Sequence, residues 1–206
     1  MYRKIFSLLI ISFLGILNVN AQGGHGFDNL FTFAWDITIP MGDKFVDHTS
    51  LAGGKIEYRK MIDHNFSLGL DVSWNSNDEY VSTSTYHLDE NTDVTTDLYK
   101  YLYTLPLAVT AHYYFNGSGI FQPYAGLGVG ALYSTPRLYF NIYQFEEENW
   151  GFLLRPEVGT VIKFDPASEM GALVAARYSI STNQEPKLRI DNLQSLGFQV
   201  GLVWLY

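Results

Sequence analysis

Few residues in this 206-residue chain offer chemistry of their own. His48 and Ser50 stand two apart, and His beside Ser is how a hydroxyl is activated as a nucleophile. No fixed acidic partner is visible near them. His112 is alone on its segment and reads as a packed residue rather than a ligand. His64 lies in a predicted turn, and His25 and His87 lack metal-type spacing, so no metal site is expected. Acidic residues gather in two stretches: Asp78, Glu79, Asp89, Glu90, Asp93 and Asp97, then Glu146, Glu147 and Glu148. Neither contains the D-x-[DN]-x-[DN]-G series of a calcium loop. Solvated loops are their plain reading, and carboxylates bridged by divalent cations the sharper one.

The remaining charges are placed more regularly, and the elements that hold them explain why. Eight segments alternate with period 2, which puts successive side chains on opposite faces of a strand. They run about residues 31–39, 55–61, 66–74, 99–113, 124–133, 152–164, 171–180 and 197–206. Short connections (62–65, 116–120, 165–169) alternate with long ones (40–54, 75–98, 134–151, 181–194). Tight turns at one end and long loops at the other are the asymmetry of a transmembrane barrel. The expected fold is therefore all-β, an eight-stranded antiparallel up-and-down transmembrane β-barrel.

Charge separates this from a soluble barrel. Asp36, Lys55, Glu57, Arg59, Asp71, Lys100, Arg155, Glu157, Lys163 and Arg177 all lie opposite the apolar row of their segment; only Lys60 does not. It adjoins a short turn, where a long side chain snorkels to the interface. A charge facing lipid near the midplane costs about 2–4 kcal/mol, so the charged face must be the inner one. An eight-stranded ring is only just wide enough for side chains to fill. An interior network is expected in which Arg59, Arg155 and Arg177 pair with Glu57, Asp71 and Glu157, with Asp36 beside them. Bidentate Arg–carboxylate geometry suits such a site. The network is read as structural, with a gated polar path as the functional alternative. Aromatics cluster at both strand ends, as interface girdles do: Trp74, Tyr99, Tyr101, Tyr133, Phe152 and Tyr178 on the long-loop side, Phe66, Tyr113, Phe115, Phe121, Phe164, Trp204 and Tyr206 on the other. Pro106 and Pro156 fall inside strands, where a lost ladder donor predicts bulges.

The N-terminus reads as a leader. Arg3 and Lys4 precede an apolar stretch from Ile5 to Leu17, too short for a helix that needs about 20 residues to span. Val19-Asn20-Ala21 has small residues where a signal peptidase reads, so cleavage is expected after Ala21, leaving one domain over 22–206. Losing Arg3 and Lys4 from 13 basic residues leaves 11 against 21 acidic ones, a net charge of −10 that argues against nucleic acid. Cysteine is absent, excluding disulfides and a cysteine-linked lipid.

Three stretches resemble the small outer-membrane β-barrel families, the OmpA/OmpX/OmpW-like group. They are Leu105-Pro106-Leu107 running on to His112-Tyr113-Tyr114-Phe115, Gln122 to Gly130, and the alternating C-terminus Phe198, Val200, Leu202, Trp204 and Tyr206. The last looks like the terminal signal read by the barrel-assembly machinery. The resemblance implies a monomeric integral barrel of the Gram-negative outer membrane. Its expected partners are outer-membrane lipid, lipopolysaccharide and the assembly machinery, with a structural or surface-interaction role, no cofactor and no catalysis. OmpW-like members of the group suggest the alternative, a conduit for small hydrophobic molecules, which Leu102, Leu132 and Leu153 on the inner face keep open. His48-Thr49-Ser50 is similar to the His-x-Ser pair of outer-membrane lipid A deacylases, a remote alternative, since in that family the pair lies late in the chain.

Overall fold

The computed structural model describes residues 27–42, 45–89, 92–115, 119–140, 143–188 and 190–206, so the leader over 1–21, its cleavage and His25 lie outside it. The strands are β1 Asn29–Met41, β2 Ala52–Asp63, β3 Phe66–Asp89, β4 Thr92–Tyr114, β5 Phe121–Phe140, β6 Tyr143–Glu146, β7 Asn149–Lys163, β8 Met170–Ser181 and β9 Leu193–Leu205. Every pairing is antiparallel. β1 meets β9 from Leu30↔Leu205 to Met41↔Gln194, which closes the ring β1-β2-β3-β4-β5-β7-β8-β9. The Tyr206 carbonyl accepts from the Asp28 and Asn29 amides at 3.0 and 2.7 Å, fixing the start of β1 beside the end of β9. Among the described residues β6 pairs only with the far end of β5 (Arg137↔Glu146 to Phe140↔Tyr143), so the barrel has eight staves, as the alternation requires.

The two faces of each strand part as that alternation predicts. Phe33, Trp35, Val109, Leu127, Val158 and Val200 are exposed on the outside, while Asp36, Lys55, Glu57, Arg59, Asp71 and Arg155 are buried within. A barrel with apolar atoms outside and charge inside is suited to hydrocarbon rather than water.

Two of the long connections are not loops. Residues 75–89 and 92–98 continue β3 and β4 as a paired hairpin beyond the barrel, and 134–140 with β6 form a second. No apolar alternation marks these extensions; only the Thr, Val and Tyr content that favours strands remains. The other two long connections fold back over the mouth of the ring. They bury Phe45 and Val46 from one, Ile190 and Leu193 from the other.

The expected bulges at the prolines are not there. Opposite Pro106 the β3–β4 ladder breaks between Val72↔Leu107 and Asn75↔Thr104 and resumes in the same register. Opposite Pro156 the β7–β8 ladder breaks between Leu154↔Ile180 and Glu157↔Arg177, again without a shift. Each proline keeps its pairing with β5, to Leu132 and Leu127. The missing donor is thus tolerated as a local gap on one side. Register shifts occur instead at Met61/Asp63, Val81/Ser84 and His87/Asp89.

Candidate functional site

The interior is layered. Nearest the short turns, Leu30, Met61, Tyr114, Val161, Val203 and Leu205 pack as an apolar floor. Above it lies the charge network. Above that, beneath the folded-back connections, is a cavity of about 50 Å³ lined by Leu102, Leu132 and Leu153 of β4, β5 and β7, with Asn75 of β3 and Ser179 and Ser181 of β8 flanking them.

Lys55 is the hub of the network. From β2, its Nζ lies 2.9 Å from Glu57 Oε2, 3.1 Å from Asp71 Oδ2 on β3 and 2.9 Å from Glu157 Oε2 on β7. It also donates to Gln199 Oε1 on β9 at 3.1 Å, so one ammonium ties four strands across the lumen. Arg59 Nη2 donates to Glu57 Oε2 at 2.8 Å and Glu157 Oε1 at 3.0 Å. Its guanidinium lies 4.4 Å from the centre of the Tyr124 ring, whose hydroxyl donates to Glu157 Oε1 at 2.6 Å. Tyr114 accepts from Arg59 Nη1 at 3.2 Å, and Thr110 donates to Glu57 Oε1 at 3.0 Å.

A second cluster sits toward the cavity. Arg155 Nη1 donates to Asp71 Oδ1 and to Ser73 Oγ, each at 2.8 Å. Arg177 Nη2 pairs with Asp36 Oδ2, which also accepts from Asn75 Nδ2 at 3.2 Å. Glycines make room for these long side chains. A Cβ on Gly197 would stand 2.6 Å from Arg177 Nε, and one on Gly126 would press into the His112 ring.

Asp36, Glu57, Arg59, Asp71, Arg155, Glu157 and Arg177 thus meet in one buried lattice, with two departures from the expected pairing. Arg177 takes Asp36 rather than Glu57, Asp71 or Glu157. The arginines contact carboxylates through single nitrogens, not bidentate forks; Arg59 is met from β2, β4, β5 and β7, Arg177 from β1 and β3, and Arg155 from β3. Lys55 faced inward in the sequence, but nothing marked it as the centre. Tyr124, Tyr114 and Gln199 carried no charge to draw attention.

His112 is packed, as expected, edge-on to Tyr124 with ring centroids 5.2 Å apart. Its Nε2 lies 3.6 Å from Glu57 Oε1 and 3.8 Å from Glu157 Oε1, a grouping of metal-ligand type. Lys55, Arg59, Thr110 and Tyr124 already engage those carboxylates. Asp47, His48 and Glu79 group similarly at the surface. There Glu79 accepts from Lys100 Nζ and from the Asp47 amide, each at 3.0 Å. Ser50 is buried and donates to the Ser76 carbonyl, while the His48 imidazole lies 3.0 Å from Asp47 Oδ1. The two side chains of the His-x-Ser pair are therefore turned to different partners. Of the acidic runs, Glu79 and Glu146 are held by Lys100 and Arg137; the hydrogen bond to Glu146 raises the Arg137 guanidinium above its ordinary value. Glu90 and the side chains of His87, Asp89 and Asp93 lie outside the described residues.

Residues 14–204 match the family described as outer membrane protein beta-barrel domain. No curated protein matches the sequence. Among solved structures, Neisserial surface protein A is similar at 14% identity, over 88% of this chain and 97% of its own, with a TM-score of 0.55. The outer membrane protein OprG from Pseudomonas aeruginosa is similar at 14% identity, over 91% and 99%, with a TM-score of 0.52. At these identities the likeness is one of fold.

Proposed function

Because this chain belongs to the outer membrane protein beta-barrel domain family, we propose that it is an integral outer-membrane barrel closed to ions, without catalysis, acting through the end that bears its two hairpins. The observation that carries this reading is Lys55, held by three carboxylates from three staves across the lumen. An apolar floor lies below it and the folded-back connections lie above. Water and ions would have to break buried pairs to pass, and leaving one partner uncompensated costs about 3–5 kcal/mol. The separate engagement of His48 and Ser50 supports a non-catalytic role. In this reading the leader is cleaved after Ala21, the barrel is monomeric, and the row Phe198, Val200, Leu202, Trp204 and Tyr206 is what the assembly machinery reads. Planar-bilayer recording of the folded protein tests closure: no sustained conductance is expected, and a steady, large one would overturn it.

The cavity above Arg155 and Arg177, with leucines on one wall, favours a second reading, a conduit for small hydrophobic molecules. Uptake of such a molecule into vesicles carrying the barrel, abolished by Leu132→Arg, would establish it; no uptake above bare vesicles would remove it.

A further inference from the structure

The wall formed by β3, β4 and β5 is taller than the rest of the barrel, and its outer face carries an open groove of about 480 Å³ lined by Tyr99, Tyr101, Tyr103 and Tyr139. The rings are ordered against one another. Tyr101 meets Tyr139 edge-on at 5.8 Å and stacks with Tyr103 at 6.3 Å. Arg137 lies over the Tyr103 ring at 5.1 Å and is anchored by Glu146 at 2.7 Å. Tyr80 packs on Tyr99 at 4.9 Å.

Height decides what this groove can face. Twelve positions along β4 separate Tyr101 from Tyr113, which is in the girdle near the short turns. At about 3.3 Å per residue and a tilt of about 40°, Tyr101 stands about 30 Å above that girdle, past an apolar band about 25 Å tall. Directly below the groove on the same outer face run Leu105, Leu107 and Val109, the surface that meets acyl chains. The groove is thus continuous with the lipid-facing wall and lies at the level of outer-leaflet headgroups. Tyrosine rings offer flat apolar faces with a hydroxyl at the tip, suited to a sugar that presents C–H faces and hydroxyls together. Arg137, whose Nη2 is taken by Glu146, offers its remaining guanidinium N–H groups to phosphate oxygens.

We propose that this groove binds the phosphorylated saccharide headgroup of an outer-leaflet glycolipid, whose acyl chains lie along Leu105–Val109. The site is specific to one wall, and it acts as a fixed seat for a lipid rather than a general interfacial belt. This rests on the membrane placement given above but not on closure of the interior, so conductance and glycolipid binding fail independently.

The test uses the full-length barrel in phosphatidylethanolamine nanodiscs containing a small fraction of deep-rough lipopolysaccharide, with retained lipid counted by native mass spectrometry after washing. Wild type should retain lipopolysaccharide in preference to phosphatidylethanolamine. Tyr101→Leu/Tyr139→Leu should weaken retention about tenfold through the loss of two ring contacts. Phe33→Leu, on the far wall, should leave it unchanged. Heat-modifiable migration reports folding. If the leucine pair does not fold, Tyr139→Leu alone, at the outer end of β5, decides, with about threefold weaker retention expected. Wild-type retention by the folded variant, or no preference for lipopolysaccharide in wild type, overturns the proposal. Equal competition by the lipid-free core oligosaccharide, or crosslinking of two barrels through these tyrosines, overturns it too.

Discussion

Replacing Lys55 with Met removes the cation that the interior is built around while nearly keeping its length. Four buried basic residues of the lattice (Lys55, Arg59, Arg155, Arg177) face four acidic ones (Asp36, Glu57, Asp71, Glu157). After the change, Glu57, Asp71 and Glu157 lose a partner at 2.9–3.1 Å, and one negative charge is left without compensation. Breaking a buried pair from one side costs about 3–5 kcal/mol. With three carboxylates released at once, the loss belongs at the upper end, at least a thousandfold in the folding constant at about 1.4 kcal/mol per decade. Adding Glu157→Gln restores neutrality, because Glu57 and Asp71 then keep Arg59 and Arg155. The double variant should therefore recover more than half of the lost stability. Urea titration of the barrel in phospholipid vesicles, followed by tryptophan fluorescence and by heat-modifiable migration, measures all four corners of the cycle. A single variant within about 1 kcal/mol of wild type, or a double variant that is simply additive, would refute the argument that Lys55 holds the staves through its carboxylates.

Other outcomes follow from the same geometry. Tyr124→Phe deletes the hydroxyl between Arg59 and Glu157 and should lower stability by about 1–3 kcal/mol in the same titration; an unchanged midpoint would mean that the hydroxyl is dispensable. Val129→Arg puts a charge on the outer face midway along β5 and should cost about 2–4 kcal/mol in vesicles, whereas Phe115→Arg, beside a short turn, should cost about 0–1. Equal penalties at the two sites would place the apolar band elsewhere.

The fold was legible in the sequence because one physical rule governs every stave: an outward residue meets hydrocarbon and an inward one does not. Phe33 and Trp35 against Ala34 and Asp36 is enough to phase β1, and the same reading works around the ring. Legibility ends where that rule lapses. From Ser76 onward β3 carries no continuous outer apolar row, so Asp78 and Glu79 look like loop residues although they pair with Tyr101 and Lys100. The prolines misled for a related reason. Composition flags the lost donor but not which neighbour it faced, and a gap toward β3 or β8 is milder than a bulge. Inside, charge sign and facing direction selected the residues of the lattice, but its wiring depends on stagger around the barrel. That stagger sets Arg177 on β8 beside Asp36 on β1 and brings Glu157 on β7 to Lys55 on β2. No pattern along a single strand contains it.

The hydrogen bonds from Asp28 and Asn29 to the Tyr206 carbonyl have an architectural implication. With the start of β1 and the end of β9 in contact, the barrel segment is nearly a circle already, and where it opens becomes a separate matter from the shape it makes. A rotated gene, its old ends fused by a short linker and new ones opened at the His64–Asn65 turn, would encode the same staves in the same order around the ring. It would end on β2 instead of β9, so the row from Phe198 to Tyr206 would sit in mid-chain. Such a molecule would keep the order and pairing of the staves with its covalent opening elsewhere, which makes the shape of the barrel and the place where its chain is cut separable properties of one sequence.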